Sequence, residues 1–188
     1  MNQTDIARRS RPWQVDALLV VDPVFDGDGH LHAWARLPES TWRDLAAILA
    51  ARYDRIGFSN HRAAHDSADG GFAECGIARV LELSAAETMR DVELDGERFD
   101  LEVCEFSAYT AYLLGLTDFN RWHATDAELA SDELCFFREG RIELMAQPWN
   151  SMLRFFAVEV GLLQDVQAAH PRFRDALFMV ENGRLRGV

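Results

Sequence analysis

The sequence predicts an α+β fold: an antiparallel sheet built from hairpins, with several packed helices, in a single compact domain. Two observations carry this. Short apolar runs flank the two-residue turn signals Asp95-Gly96, Glu139-Gly140 and Asn182-Gly183, and tight turns of this kind join antiparallel neighbours. Segments with apolar residues at helical spacing are inserted between those hairpins. At 188 residues the chain is long enough to close one core without covalent staples. The expected domain is 1–188, with 1–12 as a flexible N-terminal arm.

Taken in order, 15–21 is a Val- and Leu-rich run, and 30–37 places His30, His32 and Trp34 on one extended face. The two segments read as antiparallel strands around the Gly/Asp turn at 26–29. The segment 39–53 is the clearest helix: Thr41 with Asp44 resembles a capping box, and Trp42, Leu45, Ile48 and Leu49 share one face. Residues 55–71 break the pattern and read as a long loop, after which 72–83 resembles a strand. In the hairpin 91–106 a two-residue turn sets Val92 opposite Phe99 and Glu93 opposite Arg98, and further along Asp91 opposite Asp100. A helix follows at 107–116 with Tyr109, Tyr112, Leu113 and Leu116 as its expected buried stripe, and Thr125 with Glu128 starts a short one. The hairpin 134–137 and 141–145 is apolar on both faces, which predicts a central place in the sheet. A helix is expected over 150–169, stopped by Pro171, although 155–160 also has strand character.

Charge is distributed unevenly. The chain carries a net charge of −12, and 82–143 alone holds sixteen carboxylates against five arginines, a balance of −11. Ionised carboxylates are almost never buried unpaired, so this is a surface property. It favours a basic partner and argues against nucleic acid, whose binders need a basic face. All 19 cationic side chains are arginine, which removes lysine Schiff-base and P-loop chemistry. Cys75, Cys104 and Cys135 form no CxxC pair and read as core thiols in a reducing compartment. No apolar run reaches bilayer-spanning length. A cytoplasmic protein with no membrane partner and no cofactor is expected.

The partner-binding residues expected from this pattern are Asp91, Glu93, Asp100 and Glu102 on the second hairpin, and Asp126, Glu128, Asp132 and Glu133 in the following acidic stretch. Trp122 stands beside them as an aromatic anchor. No catalytic residue is assigned and the balance leans away from an enzyme. The alternative is a metal-dependent hydrolase, in which His30, His32, His61, His65 and Asp66 supply imidazole and carboxylate ligands; the segment His61 to His65 lacks the glutamate of HExxH.

The stretch Asp132-Glu133-Leu134-Cys135-Phe136-Phe137-Arg138-Glu139-Gly140-Arg141-Ile142-Glu143-Leu144 resembles a hairpin recurrent in small acidic bacterial immunity proteins, the antidotes of polymorphic or secretion-delivered toxins. The resemblance covers about a dozen residues, and no binding residue transfers by position. It implies a toxin-neutralising protein whose acidic surface occludes a cognate toxin with a basic, nuclease-like surface.

Overall fold

A computed structural model describes residues 16–20, 23–25, 31–33, 39–59, 87–94, 97–115, 134–147, 152–156, 158–181 and 184–187. The described elements, in chain order, are β1 (Ala17–Val20), β2 (Pro23–Phe25), β3 (Leu31–Ala33), α1 (Glu39–Ala50), β4 (Arg55–Ser59), β5 (Glu87–Leu94), β6 (Glu97–Glu105), α2 (Ala108–Gly115), β7 (Leu134–Arg138), β8 (Arg141–Gln147), β9 (Met152–Phe155), α3 (Val160–Ala169), a 3-10 turn (Pro171–Phe173), β10 (Leu177–Glu181) and β11 (Arg184–Gly187). Nine strands form one antiparallel sheet in the order β11-β10-β1-β9-β8-β7-β4-β6-β5, while β2 and β3 pair separately. The chain is therefore α+β in a single domain, as the hairpin signals predict. Sequence neighbours pair as hairpins except at two insertions: β4 lies between β6 and β7, and β1 between β9 and β10.

Period-two alternation divides the apolar side chains between the two faces of this sheet. On one face Leu134 and Phe136, Leu144 and Ala146, Ile56 and Phe58, and Cys104 form a core with Trp42, Leu45 and Leu49 of α1 and Leu162, Leu163 and Val166 of α3. On the other, Met89, Val92, Leu101, Val103, Cys135, Phe137 and Met145 form a second core. Cys104 and Cys135 thus belong to different cores on opposite faces, both buried and neither in a disulfide. The two-sided burial of β7 and β8 fits their predicted central position.

Five local expectations are corrected. The run over 15–21 does not pair with 30–37: β1 joins β9 and β10, and β3 pairs with β2, Val24 opposite His32. The segment opening at Arg55 begins as a central strand rather than a loop. Its Gly57 faces the second core, where a Cβ would lie 3.0 Å from the Phe137 ring and 3.2 Å from Val103 Cγ2, so the small residue that disguised the strand is what lets Phe137 pack across it. The helix expected over 150–169 is divided into β9 and α3. Its β9 part is an inner strand, with Leu153 opposite both Leu19 and Ala146. Thr41 lies inside α1 and its buried hydroxyl has no partner, so it does not cap the helix.

The fifth correction moves the fold's aromatic surface outward. Tyr109 and Tyr112 are exposed, while Thr110, Ala111, Leu114 and Gly115 face inward. Small residues on that face bring α2 close to α1: a Cβ on Gly115 would lie 3.0 Å from Arg43 Cγ. The two carbonyls that end α2 are capped from α1, Leu114 by Trp42 Nε1 at 3.1 Å and Gly115 by Arg43 Nε at 3.3 Å. At the other end, the Ser107 amide donates to Thr110 Oγ1 at 2.7 Å and the Thr110 amide to Ser107 Oγ at 3.3 Å, a reciprocal cap.

Candidate interaction surface

Among the described strands, the hairpin β5–β6 lies at one edge of the sheet. Its register near the turn is the expected one, Val92 opposite Phe99 and Glu93 opposite Arg98, but further along the pairs are Met89 with Leu101 and Thr88 with Glu102. A bulge between Met89 and Val92 supplies the extra residue. Its cause lies in the apolar pattern. Met89 and Val92 are three apart and would point to opposite faces of a regular strand, yet both belong to the second core. The inserted residue brings them to the same face.

The bulge also resolves the expected confrontation of Asp91 with Asp100. Asp91 adopts φ 55, a left-handed conformation that aspartate tolerates better than most residues. Its backbone amide donates to Asp100 Oδ1 at 3.2 Å. A like-charge cross-strand pair is thereby replaced by a carboxylate on an N–H donor. Asp91, Glu93 and Asp100 are exposed, and Glu102 is half-buried, accepting from Thr88 Oγ1 at 2.8 Å. Toward the far end Arg55, the register partner of Glu105, forms an ion pair with Glu87. An edge strand with a bulge and charged side chains resists indiscriminate strand pairing. What the edge offers a partner is negative side chains rather than an adhesive backbone.

The structure thus gathers four of the expected partner-binding residues, Asp91, Glu93, Asp100 and Glu102, on one hairpin. Trp122, Asp126, Glu128, Asp132 and Glu133 lie outside the described residues, as do His30, His61, His65 and Asp66 of the metal alternative. His32 is in β3. Among the described residues no group of three His, Cys, Asp or Glu is placed to hold a metal ion. No described helix is long and apolar enough to cross a membrane.

A second charged group was not anticipated. Glu143 is the extra residue where the β7–β8 register shifts, between the pairs Phe136–Leu144 and Phe137–Ile142. Its carboxylate is buried and held by Arg138, Nε at 2.8 Å and Nη2 at 3.3 Å. Arg138 also bonds Glu159, at the N-cap of α3, and Arg52 reaches Glu159 at 3.6 Å and Asp165 at 2.7 Å. This alternating chain ties the end of α1 and the sheet to α3. Burial pushes the Glu143 carboxyl above its usual range despite the attraction of Arg138, and the Glu159 bond raises Arg138. Beside the chain, the Tyr53 ring packs 5.9 Å from Phe136, and its buried hydroxyl has no hydrogen-bond partner. Burial, then the charge of Glu143, raises the Tyr53 phenol well above its ordinary value. The available signal was Glu143 itself, a carboxylate within an otherwise apolar run from Ile142 to Ala146.

No protein-family model matches the chain, and neither curated proteins nor solved structures show a significant similarity to it.

Proposed function

We propose that this protein is a toxin-neutralising, immunity-type binding protein that occludes a cognate basic effector through its acidic surface. The observation that carries this reading is the β5–β6 edge, where Asp91, Glu93 and Asp100 are exposed together. A concentrated field of one sign steers an oppositely charged protein to the surface and selects the matching partner. The acidic stretch Asp126, Glu128, Asp132 and Glu133, with Trp122, extends the same charge in sequence. The effector's cationic face is the counterpart of a nucleic-acid cleft, and the carboxylates substitute for phosphates. Its compartment is the cytoplasm, where the effector acts.

Co-expression with the product of the adjacent gene, as the candidate effector, tests this. The wild-type chain restores growth, and reversing Glu93, Asp100 and Glu102 to arginine removes protection while leaving the fold intact by circular dichroism. Full protection by the triple variant would overturn the electrostatic mechanism. Failure of the wild-type chain to protect would overturn the immunity reading.

A further inference from the structure

The helix α2 turns its two largest side chains away from the core. Tyr109 is 57% exposed and Tyr112 is 60% exposed. They are three residues apart and therefore neighbours on one helical face. The opposite face is committed, because Thr110, Ala111, Leu114 and Gly115 are buried. Nothing in helix formation requires tyrosine at the two outward positions, where straight-chain residues have the better propensity. Large aromatic side chains on a surface are enriched where proteins meet, because they cover much area and have few torsions to immobilise.

The backbone sets the start of this helix beside carboxylates. The Phe106 amide donates to the Asp54 carbonyl at 2.9 Å, and Arg55 is the register partner of Glu105. Asp54 and Glu105 are exposed and adjoin the start of α2, with Ser107 as its cap. Aromatic rings flanked by carboxylates match guanidinium in particular: its plane stacks on a ring while its N–H groups bond carboxylate oxygens. Ammonium lacks the planar fork and is held more tightly by water.

We propose that the outward face of α2, centred on Tyr109 and Tyr112 with Asp54 and Glu105 at its N-terminal end, docks an arginine-bearing segment of the basic protein partner. This rests on the acidic-surface reading above and adds a division of labour. The hairpin carboxylates accelerate encounter, and the tyrosines select arginine and slow dissociation.

The test uses the full chain with dye-labelled nona-arginine and nona-lysine peptides, followed by fluorescence anisotropy at low salt. Wild type binds the arginine peptide about five- to tenfold more tightly, the ratio expected from two exposed guanidinium–ring contacts. Tyr109→Ala with Tyr112→Ala brings the ratio to about one and leaves lysine-peptide binding unchanged. Tyr109→Phe with Tyr112→Phe retains the rings and most of the preference. Glu93→Arg with Asp100→Arg weakens both peptides alike. If that variant had no effect on either, the acidic-surface reading would fail rather than the tyrosine assignment. A preference that survives removal of both rings, or no preference in wild type, overturns the tyrosine assignment. So does a wild-type dimer that becomes monomeric in sedimentation velocity on loss of the rings, because the face then joins two copies of this chain.

Discussion

Replacing Arg138 with methionine isolates the cost of the buried carboxylate on β8. The Glu143 side chain is 11% exposed and its carboxylate is paired by Arg138. Truncating one partner of a fully buried pair costs about 3–5 kcal/mol, because the other charge is left without compensation. Arg138 is itself 33% exposed, so water entering the vacated space relieves part of this, and a smaller loss, about 2–3 kcal/mol, is expected. The Glu159 branch, 48% exposed, adds less than about 1 kcal/mol. For a chain of this size the loss corresponds to a Tm decrease of roughly 5–10 °C. Converting both partners, Arg138→Met with Glu143→Leu, leaves no stranded charge, and stability returns to within about 1 kcal/mol of wild type. The deficit of the single variant also depends on pH. The folded Glu143 carboxyl is already raised above 4.5 by burial, and losing Arg138, the largest opposing influence, raises it further. An acid with a higher pKa folded than unfolded binds more protons in the folded state between the two values, so stability falls as pH rises through that window. The cost is absent below the unfolded value and complete above the folded one. Urea unfolding of wild type, the single and the double variant at pH 5 and pH 8 reads both effects. A double variant as unstable as the single, or a deficit independent of pH, would refute the reasoning.

Tyr53→Phe removes a buried hydroxyl that has no partner, so chemical denaturation should show about 1 kcal/mol of added stability; a loss of that size would mean the hydroxyl is satisfied in solution. Gly57→Ala forces a methyl to 3.0 Å from the Phe137 ring, and a loss of about 1–3 kcal/mol is expected in the same assay, whereas a neutral result would show that the ring moves aside without cost. Glu139 and Gly140 have φ 51 and 75, the two positive values of the hairpin turn that favours Asn-Gly. Glu139→Asn should therefore raise Tm by about 1–3 °C, from roughly 0.5–1 kcal/mol of relieved strain; an unchanged Tm contradicts a strained turn.

Elements whose evidence is local were legible in the sequence. The apolar face of α1, the Glu139-Gly140 turn and the Val92–Phe99 register each follow from spacing within a few residues. Elements determined by distant partners were not. β4 is recognisable only once β6 and β7 lie on either side, because Gly57 gives the strand its packing and hides its pattern. The bulge at Asp91 arises from the need to bring Met89 and Val92 to one core. The outward turn of Tyr109 and Tyr112 follows from the close approach of α2 to α1 at Gly115, where small residues outrank large ones. Of the candidate surface, charge and the hairpin that carries it were readable from composition and turn chemistry. The Arg138–Glu143–Glu159 chain joins three elements and had only one misplaced-looking carboxylate to announce it.

The most direct test of the acidic-surface account is the association rate of this protein with the basic effector that the proposal assigns to it, measured by stopped flow over a series of ionic strengths. The account predicts fast association at low salt that slows steeply as salt rises, and at least about a tenfold slower rate for Glu93→Arg with Asp100→Arg and Glu102→Arg, with a flatter salt dependence. An association rate and salt slope identical in wild type and the reversed variant would contradict it.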